Sequence, residues 1–136
     1  VMKKRNVVFL LAIGCAPVSA QAATVVYTDS QHPPTGLRAG HQVVYLDAPE
    51  VVQREVFGAL SADPRKAEQQ AKAVLQSPDW QQKEQQIVQA YQGVIQAYDI
   101  GLKKYPAVVF DDRYVVYGTA DVALAEAKLA EHKGAQ

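Results

Sequence analysis

Hydrophobic positions recur along this chain with two different periods. Short β-branched and aromatic runs occupy Thr24-Val25-Val26-Tyr27-Thr28, Gln42-Val43-Val44-Tyr45-Leu46 and both halves of 106–117, whereas between 49 and 99 apolar residues return every three to five positions. The first run stops at the turn-forming pair Asp29-Ser30, and Pro33, Pro34, Gly36 and Gly40 argue against a helix over 31–41. The second stops at Asp47-Ala48-Pro49, and three helices are predicted next. In 49–60 the stripe is Val52, Val56, Phe57 and Leu60. Asp63-Pro64 reads as an N-cap followed by proline at the first helical position, opening a helix to Gln76 with Ala67, Ala71, Val74 and Leu75 inward. Ser77-Pro78 repeats the device and starts a helix to about Asp99, with Trp80, Ile87, Tyr91, Val94, Ile95 and Tyr98 at helical spacing and Gly101 as its stop. The glutamines between Gln69 and Gln96 fall mostly off these stripes and read as a solvated face, the alternative being a polar docking face. A last helix over 121–132 carries Val122, Ala125 and Leu129 on one side.

The most informative stretch is 104–118, a proline-led β-hairpin. Pro106 lacks the N–H that a ladder needs and is tolerated at the first residue of a strand, and Asp111-Asp112-Arg113 makes a polar turn between the two runs. The element order is β, β, three helices, β, β, α, with no internal repeat. A right-handed crossover from the second strand to the hairpin gives a four-stranded mixed sheet covered by helices. With Thr119-Ala120-Asp121 offering caps, the block resembles the C-terminal β-β-α half of thioredoxin-like proteins, in which a cis-proline begins the third strand. The resemblance implies an α/β fold of three layers, α/β/α, with a degenerate first helix and extra helices between strands 2 and 3. It also implies a cis Tyr105-Pro106 bond. The residues themselves leave that open, since an X-Pro bond is trans by default by about 0.5–1 kcal/mol.

Composition narrows the class. The 136 residues have room for one domain, 49% of them are apolar, and 14 basic residues balance 14 acidic ones, as in globular proteins. Lys3-Lys4-Arg5, the apolar stretch 7–13 and the small-x-small site Ala20-Gln21-Ala22 read as a cleaved signal peptide over 1–22, leaving a single domain over 23–136. Without Lys3, Lys4 and Arg5, 11 basic residues face 14 acidic ones, a formal charge of −3 that argues against a nucleic-acid partner. The one cysteine, Cys15, falls within that segment, so the cleaved product has no thiol. Ala12-Ile13-Gly14-Cys15 also loosely resembles a lipobox, which would anchor the exported chain to the membrane through a lipidated Cys15. Periplasmic localisation is expected on either reading.

Candidate chemistry is sparse. Thioredoxin-like redox proteins carry Cys-x-x-Cys just after the first strand, where this chain has Ser30-Gln31-His32-Pro33, so the family's thiol chemistry is not expected. Asp29, Ser30 and His32 more simply form a turn than a nucleophilic set, and no catalytic residue is assigned. His32 and His41 lack the three or four donors of a zinc site, and no cofactor loop is visible. His132 suits a helix C-terminus. Adjacent Asp111 and Asp112 suit a hairpin tip. Tyrosines at 105, 114 and 117, with Tyr27 and Tyr45 on neighbouring strands, are either half-buried packing or an exposed patch. The candidate binding surface comprises Ser30, His32, Tyr105, Pro106 and Tyr114.

Taken with the signal segment, the blocks Thr-Val-Val-Tyr-Thr-Asp-Ser-Gln-His-Pro and Tyr-Pro-Ala-Val-Val-Phe-Asp-Asp-Arg-Tyr-Val-Val-Tyr-Gly-Thr-Ala-Asp-Val resemble a family of small integrating conjugative element proteins. The second block is similar to that of the TrbC pilus-assembly proteins of F-type conjugation. What the resemblance implies is a non-catalytic periplasmic part of a conjugative type IV secretion apparatus, partnered by other periplasmic or outer-membrane conjugation proteins, with no small-molecule substrate. An envelope chaperone holding extended peptide beside the Pro106 strand is the alternative, and an unrecognised hydrolase using His32 is a third.

Overall fold

The four expected β runs form one sheet, and the computed structural model describes residues 23–135 of the chain. The expected signal segment, with Cys15, lies outside the described residues. Strands β1 (Thr24–Thr28), β2 (Gln42–Tyr45), β3 (Ala107–Phe110) and β4 (Tyr114–Tyr117) lie in the order β2-β1-β3-β4. β1 and β2 are parallel, while β3 is antiparallel to both its neighbours, β1 and β4. Four helices complete the fold: α1 (Ala48–Phe57), α2 (Pro64–Leu75), α3 (Trp80–Asp99) and α4 (Val122–Gly134). The mixed sheet lies between α4 on one face and the α1–α3 pair on the other, the expected thioredoxin-like arrangement.

The two inner strands carry the core. Every residue of β1 and β3 is buried. Pleating sends Val26, Val108 and Phe110 toward Val122, Ala125 and Leu129 of α4, and Val25, Tyr27 and Val109 toward Ala97, Ile100 and Leu102. Each fully buried apolar side chain contributes roughly 1.5–3 kcal/mol relative to exposure. Burial holds the Tyr27 phenol above its ordinary titration range, opposed by the neighbouring Gln96 amide and reinforced by the Asp112 charge. The Gln96 geometry falls short of a hydrogen bond, so among the described residues the buried Tyr27 hydroxyl has no hydrogen-bond partner.

Local signals account for the element ends. Asp63 accepts from Arg65 N–H at 3.0 Å with Pro64 in the first turn, and Asp121 accepts from Leu124 N–H at 3.2 Å to open α4. At the hairpin tip Asp111 and Asp112 have φ of 55° and 52°, and Arg113 N–H donates to Phe110 O at 3.0 Å. Positive φ at both central residues is the type I′ requirement, which Asp tolerates, and this explains the adjacent carboxylates conformationally.

Three details depart from the expected helices. α1 ends at Phe57, leaving Leu60 exposed beyond it. Ser77 does not cap α3: its hydroxyl donates to Val74 O at 2.6 Å, and the helix starts at Trp80 behind Asp79. α2 rests only on its neighbours' margins, with Leu75 48% exposed rather than inward.

The larger correction concerns α3. Its sheet-facing stripe is built of small residues, with Ala90 and Ala97 buried and Gly93 between them, while Tyr91, Ile95 and Tyr98 face outward. A Cβ at Gly93 would stand 2.8 Å from Val44 Cγ1, inside the closest approach of two carbons, so glycine lets the helix lie directly on β2. The side of α3 toward α1 is fixed by Phe57 and Trp80, whose ring centroids are 6.0 Å apart, and by Gln53 Nε2 donating to Tyr91 Oη at 2.7 Å.

This close approach is testable. Gly93→Val should lower unfolding free energy in urea by about 1–3 kcal/mol through overpacking against Val44. Gly134→Ala, whose added methyl meets nothing within 4 Å, should leave stability unchanged or slightly higher.

Candidate functional site

β1 and β2 end on the side of the sheet where β3 begins, because Tyr27 pairs with Ala107 and Thr28 with Tyr45. The turn after β1, Asp47 after β2 and the Tyr105-Pro106 peptide therefore share one end of the sheet. The carboxyl ends of parallel strands are where open α/β sheets form ligand crevices. The Tyr105-Pro106 bond is cis, as the thioredoxin-like resemblance implies, and Gly118 N–H donates to Pro106 O at 2.8 Å, fastening the loop to the end of β4.

The turn is held by its own polar groups. Buried Thr28 donates from Oγ1 to His32 O at 2.6 Å, and Gln31 N–H donates to Asp29 Oδ1 at 3.1 Å. The same Asp29 oxygen lies 2.6 Å from His32 Nδ1, which fixes the ring with Nε2 as its other face. Ser30 gives both its N–H, at 3.0 Å, and its hydroxyl to Asp47 Oδ2. The Ser30 hydroxyl holds the Asp47 carboxyl below its ordinary range against a smaller opposing effect of burial.

This geometry decides among the chemical readings of Asp29, Ser30 and His32. A serine nucleophile needs its hydroxyl on the base, yet the Ser30 proton is directed at Asp47 while His32 is engaged by Asp29. Two separate polar pairs result, and each fastens backbone. His41 belongs elsewhere: its Nδ1 accepts from Arg38 N–H at 3.0 Å. Among the described residues no group of three or more His, Cys, Asp or Glu is placed to hold a metal ion.

No helix forms over 29–41, in keeping with the proline and glycine content. That segment is tied instead to the start of α4: Thr35 N–H donates to Ala120 O at 3.1 Å, and Val122 N–H to Thr35 O at 3.0 Å. Gly36, at φ 70°, passes so close that a Cβ would lie 3.2 Å from Ala123 N, and the Arg38 guanidinium pairs with Glu126.

The expected surface residues do not all meet. Ser30, His32, Tyr105 and Pro106 share the one end, and Tyr105 is 51% exposed beside the proline. Tyr114 is a correction: it pairs with Phe110 at the far end of the sheet, packs on the α4-side core and is flanked by the Arg113 and Lys133 cations. The tyrosine at the proline end is Tyr117, paired with Ala107. Its Oη accepts from Lys103 N–H at 3.3 Å, and Lys104 Nζ sits 5.6 Å from its ring centroid. Position along the strand carried that signal, since Tyr114 and Tyr117 lie at opposite ends of a four-residue strand. Sequence reasoning also missed Asp47, whose partner Ser30 is 17 residues away. Between Ser30, Pro33 and Asp47 on one side and Ala48, Val51 and Val52 on the other is a mostly apolar recess of about 360 Å³.

The Ser30–Asp47 pair has a pH signature. Because the folded carboxyl is held below its unfolded value, its contribution is complete above the ordinary carboxylate range and is lost as pH falls through the folded pKa. Thermal unfolding of Asp47→Asn should therefore show less loss of stability than wild type between neutral pH and that acidic window.

The sequence model of the family described as "Protein of unknown function (DUF1525)" matches residues 21–135. No curated protein and no solved structure matches the chain. With the match covering all but the first twenty residues and the last, the protein belongs to the DUF1525 family.

Proposed function

We propose that the protein is a non-catalytic, exported adaptor in a conjugative type IV secretion apparatus, engaging other periplasmic or outer-membrane assembly proteins through the end of the sheet that carries Tyr105 and Pro106. The observation that carries this reading is the state of that end. Its hydroxyl, imidazole and carboxylates are committed to two backbone-fastening pairs, whereas the aromatic ring of Tyr105 is presented to solvent beside Pro106. Rigid, half-exposed aromatics with few polar demands are typical protein-contact anchors.

Support for conjugation, as distinct from binding in general, comes from the two sequence blocks that resemble integrating conjugative element and TrbC-type proteins. Each block reaches the site at one point, the first where it runs from β1 into the turn and the second where it begins at Tyr105-Pro106 before continuing through the hairpin to α4. Among the described residues no helix is long and apolar enough to cross a membrane. The alternative of strand addition beside Pro106 meets an obstacle: β3 is an inner strand, paired on one side with β1 and on the other with β4.

The test is the transfer frequency of the resident mobile element in an in-frame deletion strain, with complementation from a plasmid. The expected result is a large loss restored by the wild-type gene; unchanged transfer would defeat the proposal. Complementation by Tyr105→Ala should fall short, with partner binding weakened on the order of tenfold or more and the circular dichroism spectrum native. Full complementation by that variant would remove Tyr105 from the contact surface.

A further inference from the structure

Among the described residues the sheet has two edges left unpaired, β2 and β4, and they are built differently. At β4 the terminal tyrosines are covered by cations: Lys104 Nζ lies 5.6 Å from the Tyr117 ring centroid, and Arg113 Cζ and Lys133 Nζ lie 5.4 and 4.9 Å from that of Tyr114. Pairing another strand there would bury or displace these charges, a common way in which edges are kept from pairing. β2 has no such guard. Its sequence, Gln-Val-Val-Tyr, contains no charge or proline, and its register with β1 runs from Gln42 to Tyr45 without a bulge.

Leu46 N–H donates to Thr28 O at 2.8 Å, which sets the phase of this parallel ladder. Alternate residues then turn their backbone groups toward β1, and the amides and carbonyls of Val43 and Tyr45 point to the open side. Along that side lies a groove of about 570 Å³ between α1 and α3. Gln86, Gln89, Gln92 and Gln96 line it from α3 together with Ala90 and Gly93, and among the described residues Glu55 is its one charged lining residue.

We propose that this groove receives an extended, uncharged or basic polypeptide segment, which joins the sheet as a fifth strand on β2. The free backbone groups of Val43 and Tyr45 supply the ladder, and the glutamine amides, which both donate and accept, match the remaining peptide groups of such a strand. One carboxylate and no cation among the described lining residues disfavours an acidic segment. Walls from two helices leave space for a single chain, whereas the edge of a second folded copy would have to bring its own α1 and α3 with it. The groove is also continuous with the recess at Ser30 and Asp47, sharing Tyr45, Ala48 and Val52, so a strand leaving β2 is led toward the candidate site. This inference concerns the chemistry of what is held and does not depend on the conjugation reading, which is judged by transfer in cells.

The test is selection of a random linear peptide library on the full chain. Enriched sequences are then synthesised with capped ends and titrated with amide exchange as the readout. Uncharged or basic peptides should bind one to one, slow exchange at Val43 and Tyr45, and lose about tenfold or more in affinity when alternate peptide nitrogens are methylated. Tyr45→Pro, which removes one outward N–H, and Gln89→Arg, on the exposed side of α3, should each weaken binding; the second keeps the test decisive if the first does not fold. Absence of any enriched peptide, protection at other amides, or acidic binders would overturn the proposal. So would self-association of the chain that Tyr45→Pro abolishes, since a second copy would then own the edge.

Discussion

Sealing β1 and β3 on both faces is the constraint from which the rest of the structure follows. A strand buried on both sides needs a cover on each, and here the covers differ: α4 packs through Val122, Ala125 and Leu129, whereas α3 reaches the sheet through Ala90, Gly93 and Ala97. Because the second cover is made of small residues, backbone-to-sheet distance is short and α3 follows β2 closely. That placement leaves Tyr91, Ile95 and Tyr98 of α3 exposed and forms the trough between α1 and α3.

Strand runs, the hairpin and two of the three expected caps were legible because their signals are local, whereas Ser77 turns back to Val74 instead of capping α3. Thr24-Val25-Val26-Tyr27-Thr28 has one reading as a chain segment, Asp63-Pro64 and Asp121 cap where their chemistry says, and Asp111-Asp112 turns where a turn is required. The inward face of α3 was not legible, because apolar stripes were sought among large residues. Tyr91, Ile95 and Tyr98 make a convincing helical stripe, but a helix that must approach a sheet closely selects for volume, and the neighbouring stripe of glycine and alanines wins. At the site the turn chemistry of Asp29 and His32 was readable from their spacing. The Ser30–Asp47 pair was not, since it depends on β1 and β2 being adjacent and parallel.

The site's polar residues show how much apparent chemistry is spent on shape. In a turn whose prolines and glycines exclude a helix, Thr28, Asp29 and Asp47 take up backbone carbonyl and N–H groups that regular structure does not pair. Electrostatics follow from this: donation from the Ser30 hydroxyl holds the Asp47 carboxyl below its ordinary range. The exposed Tyr105 ring takes no part in that network.

Tying 29–41 to α4 has a further consequence. A helix starting behind β1 would aim several unpaired N–H groups and the positive end of its dipole at the turn, and it is this field that holds a thiolate or other anion at low energy. Here those donors are replaced by the Thr35 and Gly36 passage against the start of α4. Cysteines engineered at positions 30 and 33 would thus meet an environment already containing the negative charge of Asp47 and lacking a helix end to offset it. Among the described residues the turn after β1 thus offers neither a helix end nor a thiol, so installing thiol chemistry there would require rebuilding backbone before exchanging side chains.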